Sequence, residues 1–113
     1  MHNKIVEILE SLGIDIAFME YEGNANEYII FDIYNELDSS FSDDENLSST
    51  YYIQVNYWFK SLKNLDKHIK IKELLKNNGF IFDGAKDLRV GGYYGKNMDF
   101  IYLEFEKEGV LNG

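Results

Sequence analysis

The sequence predicts an α+β domain in which two helices pack on a twisted, mainly antiparallel sheet, with elements in the order α-β-β-β-α-β-β. Two segments have apolar residues at helical spacing, and five have the alternating or aromatic and β-branched composition of strands. The 113 residues suffice for one hydrophobic core. We therefore expect a single domain spanning residues 1–113, and the 45% hydrophobic content argues against disorder for the chain as a whole.

The first third of the chain predicts one helix and two strands. Apolar residues recur at helical spacing from Ile5 to Leu12, Asn3 can serve as the N-cap, and Gly13 is positioned to end the helix in the left-handed conformation. The segments IDIAFMEY and NEYIIFDIYNEL follow, and their β-branched and aromatic residues favour strands. We predict a helix over residues 4–12 and two strands joined across EGNAN.

A polar, acidic segment over residues 38–49 follows the second strand. It consists mostly of serine, aspartate, asparagine and glutamate, with little apolar surface to pack. We expect a mobile loop that becomes ordered on a neighbouring molecule, because isolated apolar residues within it can act as anchors. The candidate assembly residues are Phe41, Asp43, Asp44, Glu45 and Leu47.

The segment TYYIQVNYWFK predicts a third strand with two different faces. One face is apolar and predicts core, whereas the other mixes amphipathic rings with amides and suits a partly exposed surface or an interface. The core face consists of Tyr51, Ile53, Val55, Tyr57 and Phe59, and the other face of Tyr52, Gln54, Asn56, Trp58 and Lys60.

A lysine-rich segment from Ser61 to Asn78 predicts the second helix, with Asn64 as a possible N-cap and Gly79 as its stop. Its apolar pattern is irregular, so the helix either buries two patches or begins later than the lysines suggest. FIFD then begins a fourth strand, GGYYGKN predicts a turn with exposed Tyr93 and Tyr94, and MDFIYLEFEKE predicts a fifth strand.

Charge is unevenly distributed along a chain whose formal net charge is −9. Between Ile5 and Phe59 there are twelve acidic residues and no lysine or arginine, whereas Lys60 to Lys76 contains six lysines and two acids. The acidic balance argues against nucleic acid as a bound partner. It also favours solubility, and the opposite signs of the two segments indicate that one copy can attract another.

The sequence does not predict an enzyme, a cofactor or a metal site. There is no cysteine, which excludes disulfides and thiolate chemistry, and the two histidines, His2 and His68, have no nucleophile at a diagnostic spacing. The acidic run at 43–45 lacks the glycine of a calcium loop, and GGYYG lacks the lysine and following helix of a phosphate-binding loop. The start MHNKIVEILESLG has the character of neither a signal peptide nor a membrane span, so we expect a soluble, intracellular protein.

The order of these features resembles the small tail-completion and tail-terminator proteins of long-tailed bacteriophages or prophages of Gram-positive bacteria. The resemblance covers nearly the whole chain. It rests on a helix ending in leucine and glycine, an aspartate-rich loop before a tyrosine-rich strand, and the helix exit NNGF. It is a resemblance of pattern rather than of one motif, and it leaves completion protein and terminator as alternatives.

The resemblance implies a virion structural protein that forms a hexameric ring around the DNA path at the head–tail interface, after assembly in the bacterial cytoplasm. Its partners would be other copies, the tail tube and the head connector proteins, with DNA passing through without specific binding and no membrane involved. The acidic loop would then face the channel or a neighbouring subunit. Candidate interface residues are Tyr52, Trp58, Lys67, Lys70, Tyr93 and Tyr94.

A different class of function is compatible with the same acidity. A small inhibitor or immunity-type protein uses a negative face to cover a basic partner such as a nuclease. Self-complementary acidic and basic surfaces favour the ring over this alternative.

Overall fold

The computed structural model describes residues 1–40 and 47–105, which form two α-helices and five β-strands. The elements follow in the predicted order, and the α+β class is confirmed. Short 3₁₀ turns at Glu10–Leu12 and Leu62–Asn64 precede β1 and α2. The elements are α1 (His2–Leu9), β1 (Asp15–Phe18), β2 (Glu27–Ser40), β3 (Leu47–Phe59), α2 (Lys67–Asn77), β4 (Ile81–Val90) and β5 (Tyr93–Phe105).

The strands form one sheet in the order β1-β2-β3-β5-β4. β1 pairs with β2 in parallel, and the other three pairings are antiparallel, so the sheet is mainly antiparallel as predicted. The parallel pair requires the chain to return to the beginning of β1 before β2 starts. Residues 19–26 make this return, and within them the Tyr21 hydroxyl donates to Asp15 Oδ2 at 2.8 Å.

Helix α1 begins earlier than the sequence predicts. It starts at His2 with Met1 as N-cap and no side-chain capping bond, so the assignment of Asn3 as the cap was wrong. Ile5 and Leu9 are buried, and the last predicted turn is 3₁₀ rather than α-helical. Gly13 has a φ of +70° and ends this turn, which confirms the predicted left-handed stop.

Helix α2 begins later than the lysine-rich segment. Ser61 caps the preceding 3₁₀ turn by accepting a hydrogen bond from Lys63 N, so Asn64 is not the helix cap. Ile71 and Leu75 are fully buried on one side of α2, while Leu65 and Ile69 are 41% and 46% exposed. The irregular apolar pattern had two interpretations, and the one in which the helix begins later than the lysines suggest is therefore confirmed.

The hydrophobic core lies between the helices and one face of the sheet. The predicted core face of β3 is confirmed, with Ile53, Val55, Tyr57 and Phe59 at most 1% exposed and Tyr51 partly buried at the edge of the core. Each large apolar side chain removed from water stabilises the fold by roughly 1.5–3 kcal/mol. The remaining fully buried contributors include Ile5, Leu9, Ile29, Ile71, Leu75, Met98 and Phe100.

The ends of the three central strands form an arm, which we define as residues 36–40, 47–51 and 102–105. Within the described ranges, the arm strands pair only with one another, because pairing to β1 ends at Phe31 and pairing to β4 ends at Ile101. The predicted loop over 38–49 was therefore too long at both ends. Backbone pairing continues through polar side chains there, and Ser49 Oγ donates to Asp38 Oδ1 at 3.0 Å. The molecule is accordingly elongated, with extents of 53 × 24 × 23 Å.

Candidate interaction surface

The sheet has one face that no helix of the described chain covers, and we call it the open face. Both helices contribute to the core on the opposite face. The strand register arranges the open face as cross-strand rows, because side chains at alternate positions point to the same side. The rows are Tyr28, Trp58 and Gly95; Ile30, Asn56 and Asn97; Asp32, Gln54 and Asp99; and Asn35, Tyr52 and Ile101.

Aromatic rings cluster at the end of the open face that contains the row Tyr28–Trp58–Gly95. Tyr28 stacks on Tyr21 with ring centroids 3.9 Å apart, and Tyr93 meets Tyr28 edge-on at 5.6 Å. The Tyr93 hydroxyl donates to the carbonyl of Ala25 at 2.9 Å. Tyr28, Tyr93 and Trp58 border a shallow cavity of about 170 Å³. The arrangement offers flat apolar surface with polar edges, which is typical of protein interfaces.

The second row is held by an amide pair. Asn97 Nδ2 donates to Asn56 Oδ1 at 2.6 Å across the β3–β5 pairing, and Asn97 is only 4% exposed. A buried amide with a satisfied hydrogen bond costs little and fixes the two strands in register. This pair therefore stabilises the middle of the open face.

The third row, Asp32–Gln54–Asp99, contains two carboxylates on either side of one glutamine, and we call it the acid row. The Oδ1 atoms of Asp32 and Asp99 are both buried without a hydrogen-bond partner among the described residues. Burial, followed by the negative charge of Asp99, raises the pKa of Asp32. A carboxylate oxygen left unpaired in this way is destabilising.

Beyond the acid row the open face becomes apolar. Tyr34 lies at an irregularity in β2 between Ile33 and Asn35, and its ring centroid is 6.2 Å from that of Tyr52. Large apolar side chains are exposed around this end of the sheet and along the arm. They are Tyr34, Leu37, Ile81, Leu103 and Phe105, with exposed fractions from 43% to 59%.

The structure divides the six predicted interface residues between the two sides of the sheet. Tyr52, Trp58 and Tyr93 belong to the open face. Tyr94 points to the helix side, where it stacks with Phe59 at 5.8 Å and lies under the Arg89 guanidinium at 4.9 Å. The prediction of two exposed tyrosines in a turn was therefore wrong: both are half-buried strand residues, and Gly91–Gly92 make the turn.

The two predicted interface lysines lie on the helix side. Lys67 Nζ is 2.8 Å from Glu27 Oε1, and the hydroxyl of the buried Tyr57 also donates to this carboxylate. Burial would raise the pKa of Glu27, but the hydrogen bonds from Lys67 and Tyr57 outweigh it and lower that pKa. Lys70 is exposed on α2. Thus Lys67 stabilises the fold, whereas Lys70 remains open to solvent.

Four of the five predicted loop residues, Phe41, Asp43, Asp44 and Glu45, lie outside the described residues. Leu47 is the first residue of β3, where the backbone pairs with Ser40. The arm therefore leads directly to the predicted assembly segment on both sides.

A cavity of about 410 Å³ opens on the helix side of the sheet, beside the 3₁₀ turn Leu62–Asn64. Its lining combines Leu62, Leu65 and Tyr94 with the charged Asp87 and Arg89. Asp87 forms an ion pair with Lys96 at 2.8 Å, and the guanidinium of Arg89 lies over Tyr94, so these charges already have partners.

Among the residues that the structure describes, neither histidine lies in a group with metal-binding geometry. His2 stacks on Phe18 with ring centroids 5.0 Å apart, and Nδ1 of His68 is 2.6 Å from the carbonyl oxygen of Leu65. No group of three or more histidine, cysteine, aspartate or glutamate side chains that could hold a metal ion occurs in residues 1–40 and 47–105. In the same residues, no helix is long and apolar enough to cross a membrane.

Sequence reasoning missed the acid row. The available signal was an aspartate set among apolar strand residues, in IIFDIY and again in NMDFIY. Such an aspartate on a strand with one core face must lie on the other face. What the sequence did not reveal was that β2 and β5 flank the same strand, which brings the two carboxylates together.

Comparison of the sequence with protein-family models gives no match, and comparison with curated proteins gives no significant match.

Proposed function

We propose that this chain is a virion structural protein that completes or terminates a phage tail, with copies forming a hexameric ring around the DNA path at the head–tail interface. The observation that supports it best is the open face. Within the described residues, helices cover the sheet on one side only, and the other side carries rings, amides and two aspartates, a composition typical of a surface that meets another protein.

The arm supports an assembly role independently of the open face. The outer edges of β2 beyond Phe31 and of β5 beyond Ile101 pair with no strand of the described residues, and such edges can pair with a strand of another chain. Exposed Leu37, Leu103 and Phe105 add apolar surface on the same arm. Such an extension can reach a neighbouring subunit in a ring.

The charge of the chain fits a ring through which DNA passes. A net charge of −9 repels phosphate, whereas each basic contact would add affinity and slow the passage of DNA. The proposed role requires no reacting group and no cofactor. The protein would assemble in the bacterial cytoplasm and remain in the finished particle.

The test is deletion of the gene from the phage or prophage genome that carries it, followed by electron microscopy of the particles. We expect DNA-filled heads and finished tails that are not joined, and joining restored by a plasmid copy of wild-type protein. A deletion strain that releases normal, infectious particles would refute the proposal.

The acid row favours one alternative. Two half-buried aspartates on either side of Gln54 on the open face also suit an inhibitor or immunity-type protein whose negative surface meets a lysine or arginine of a basic partner. That protein would form an equimolar complex with an enzyme from the same cell. In the deletion strain, the alternative predicts toxicity to the host and normal virions.

A further inference from the structure

We propose that the cavity of about 410 Å³ on the helix side of the sheet binds a small amphipathic carboxylate. The carboxylate group would lie on Arg89, and the apolar body would lie against leucine and aromatic side chains. The volume falls within the range of about 300–1,000 Å³ that is usual for small-molecule sites. This inference goes beyond the proposed function and does not depend on it, because the cavity and the open face lie on opposite sides of the sheet.

One wall of the cavity is a pair of leucines carried by a hydrogen-bonded turn. Leu62 and Leu65 line the cavity and are 59% and 41% exposed. Backbone bonds close the turn, from Asn64 N to Ser61 O at 2.9 Å and from Leu65 N to Leu62 O at 3.1 Å. The turn therefore keeps apolar surface in contact with water at the cavity, and an apolar ligand would cover that surface.

A cross-strand row on the helix side of the sheet forms another part of the lining. Phe59, Tyr94 and Arg89 are register partners on β3, β5 and β4. The rings of Phe59 and Tyr94 stack with centroids 5.8 Å apart, and the Arg89 guanidinium lies over Tyr94 at 4.9 Å. Two rings and a guanidinium thus lie side by side in the same cavity as the leucines.

The charges of the lining select an anion. Asp87 is the other charged residue of the cavity, and Lys96 Nζ pairs with its Oδ1 at 2.8 Å. Arg89 forms no ion pair with any residue that the structure describes, and the Tyr94 ring beneath it carries no formal charge. One positive charge therefore remains uncompensated, which matches a ligand with one negative charge.

The same features disfavour ligands of other kinds. A dianionic phosphate would bring two charges to a cavity with one uncompensated cation and several apolar walls. A neutral apolar compound would cover the guanidinium without giving it a counter-charge. A monocarboxylate matches one guanidinium, whose N–H groups donate to both carboxylate oxygens. Arg89 and Leu62 are both exposed, so a ligand reaches them from solvent.

Titration with two matched aromatic probes tests the site. Naphthoate and its neutral amide, naphthamide, have the same apolar body and differ in charge. Calorimetric titration of the intact chain is expected to show one naphthoate per chain, bound at least about tenfold more tightly than naphthamide. Nuclear magnetic resonance is expected to show the largest shifts at Leu62, Leu65 and Tyr94.

Variants separate the two parts of the site. Arg89→Gln is expected to lower naphthoate affinity about tenfold, to that of naphthamide, and Leu62→Ser to weaken both probes several-fold. Both positions are exposed, so both variants should fold, and thermal melting verifies this. Lys86→Gln is the matched control, because Lys86 is an exposed cation of the same strand outside the cavity lining, and both affinities should stay unchanged.

Equal affinity of wild type for the two probes, or an Arg89→Gln variant that still prefers naphthoate, would overturn the inference. Shifts confined to the rings of the open face would place the probe elsewhere and would also overturn it. If sedimentation shows that naphthoate dissociates a complex between copies, a second copy occupies the cavity and the inference is wrong. None of these results bears on the deletion experiment, which tests the proposed function separately.

Discussion

The indole ring of Trp58 occupies the space that a side chain at Gly95 would fill. A Cβ atom at position 95 would be 2.5 Å from the ring atom Cζ3 and 2.7 Å from Cε3. The two residues are register partners on β3 and β5, so the glycine allows the ring to lie across the neighbouring strand. This relationship fixes the position of the chain's single tryptophan on the open face.

Gly95→Ala should displace the Trp58 ring. Overpacking of this kind costs typically about 1–3 kcal/mol, and we expect a loss of stability in this range together with a shift of tryptophan fluorescence towards longer wavelength. Gly92→Ala is the matched control, because no heavy atom outside position 92 and its two chain neighbours lies within 4 Å of its added Cβ. Equal effects of the two substitutions would contradict the described position of the ring.

Val55→Asp and Trp58→Ala should differ strongly in their effect on folding. Val55 is fully buried in the core, so an aspartate there is an unpaired buried charge, with an expected cost of more than about 4 kcal/mol and loss of the folded state. Trp58 is half-buried on the open face, and Trp58→Ala should leave a folded protein. Thermal melting measures both, and a reversed order of severity would disprove the β3 register.

Glu27→Gln should lower stability at neutral pH. Burial acts to raise the pKa of Glu27, but the bonds from Lys67 and Tyr57 lower it below its ordinary value of 4.5. A lowered carboxyl pKa gives stability that is fully present above the unfolded-state value and is lost as pH falls through the folded-state value. The expected loss is about 1 kcal/mol or less, because the ion pair is partly exposed, and it should disappear at acidic pH. A melting difference that does not depend on pH would argue against this ionic role.

Asp32→Asn should raise stability at neutral pH, which is the opposite of the effect expected for Glu27→Gln. Burial and the charge of Asp99 raise the pKa of Asp32 above its ordinary value of 3.8, so the ionised form destabilises the folded state at neutral pH. Removal of the charge should raise the melting temperature there, and the difference should vanish below the unfolded-state pKa. A variant that is less stable at neutral pH would contradict the description of the acid row.

If the protein joins tails as proposed, replacement of residues 41–46 by glycine and serine should abolish that joining without unfolding the protein. The replaced residues include the predicted anchor Phe41 and the acidic residues at 43–45, while the paired strands of the arm are retained. Melting temperature reports folding, and the yield of infectious particles reports joining. A variant with normal particle yield would show that this segment has no role in assembly.

Local patterns in the sequence were sufficient to predict the order of helices and strands and to assign the two faces of β3. Period two in TYYIQVNYWF predicted which side of β3 is buried, and Gly13 and Gly79 were correctly identified as helix stops because both have positive φ. Helix starts were less well predicted, since neither Asn3 nor Asn64 caps a helix.

Pairing between distant strands was not accessible from local patterns. The acid row requires β2 and β5 to flank β3, and nothing in the spacing of residues along one chain specifies which strands are neighbours. The extent of the arm was missed because its strands end in serine and acidic residues, which have low strand propensity. Hydrogen bonding to neighbouring strands overrides that propensity.

The most direct test of the proposed assembly role is the mass of the protein bound to purified tail tubes of the phage or prophage that, under this proposal, encodes it. The protein alone at micromolar concentration is expected to have the mass of one chain, because its net negative charge repels other copies. On the tubes, native mass measurement and electron microscopy should find a ring of six copies at one end. The account would be contradicted if the protein did not bind the tubes and instead formed an equimolar complex with a basic enzyme.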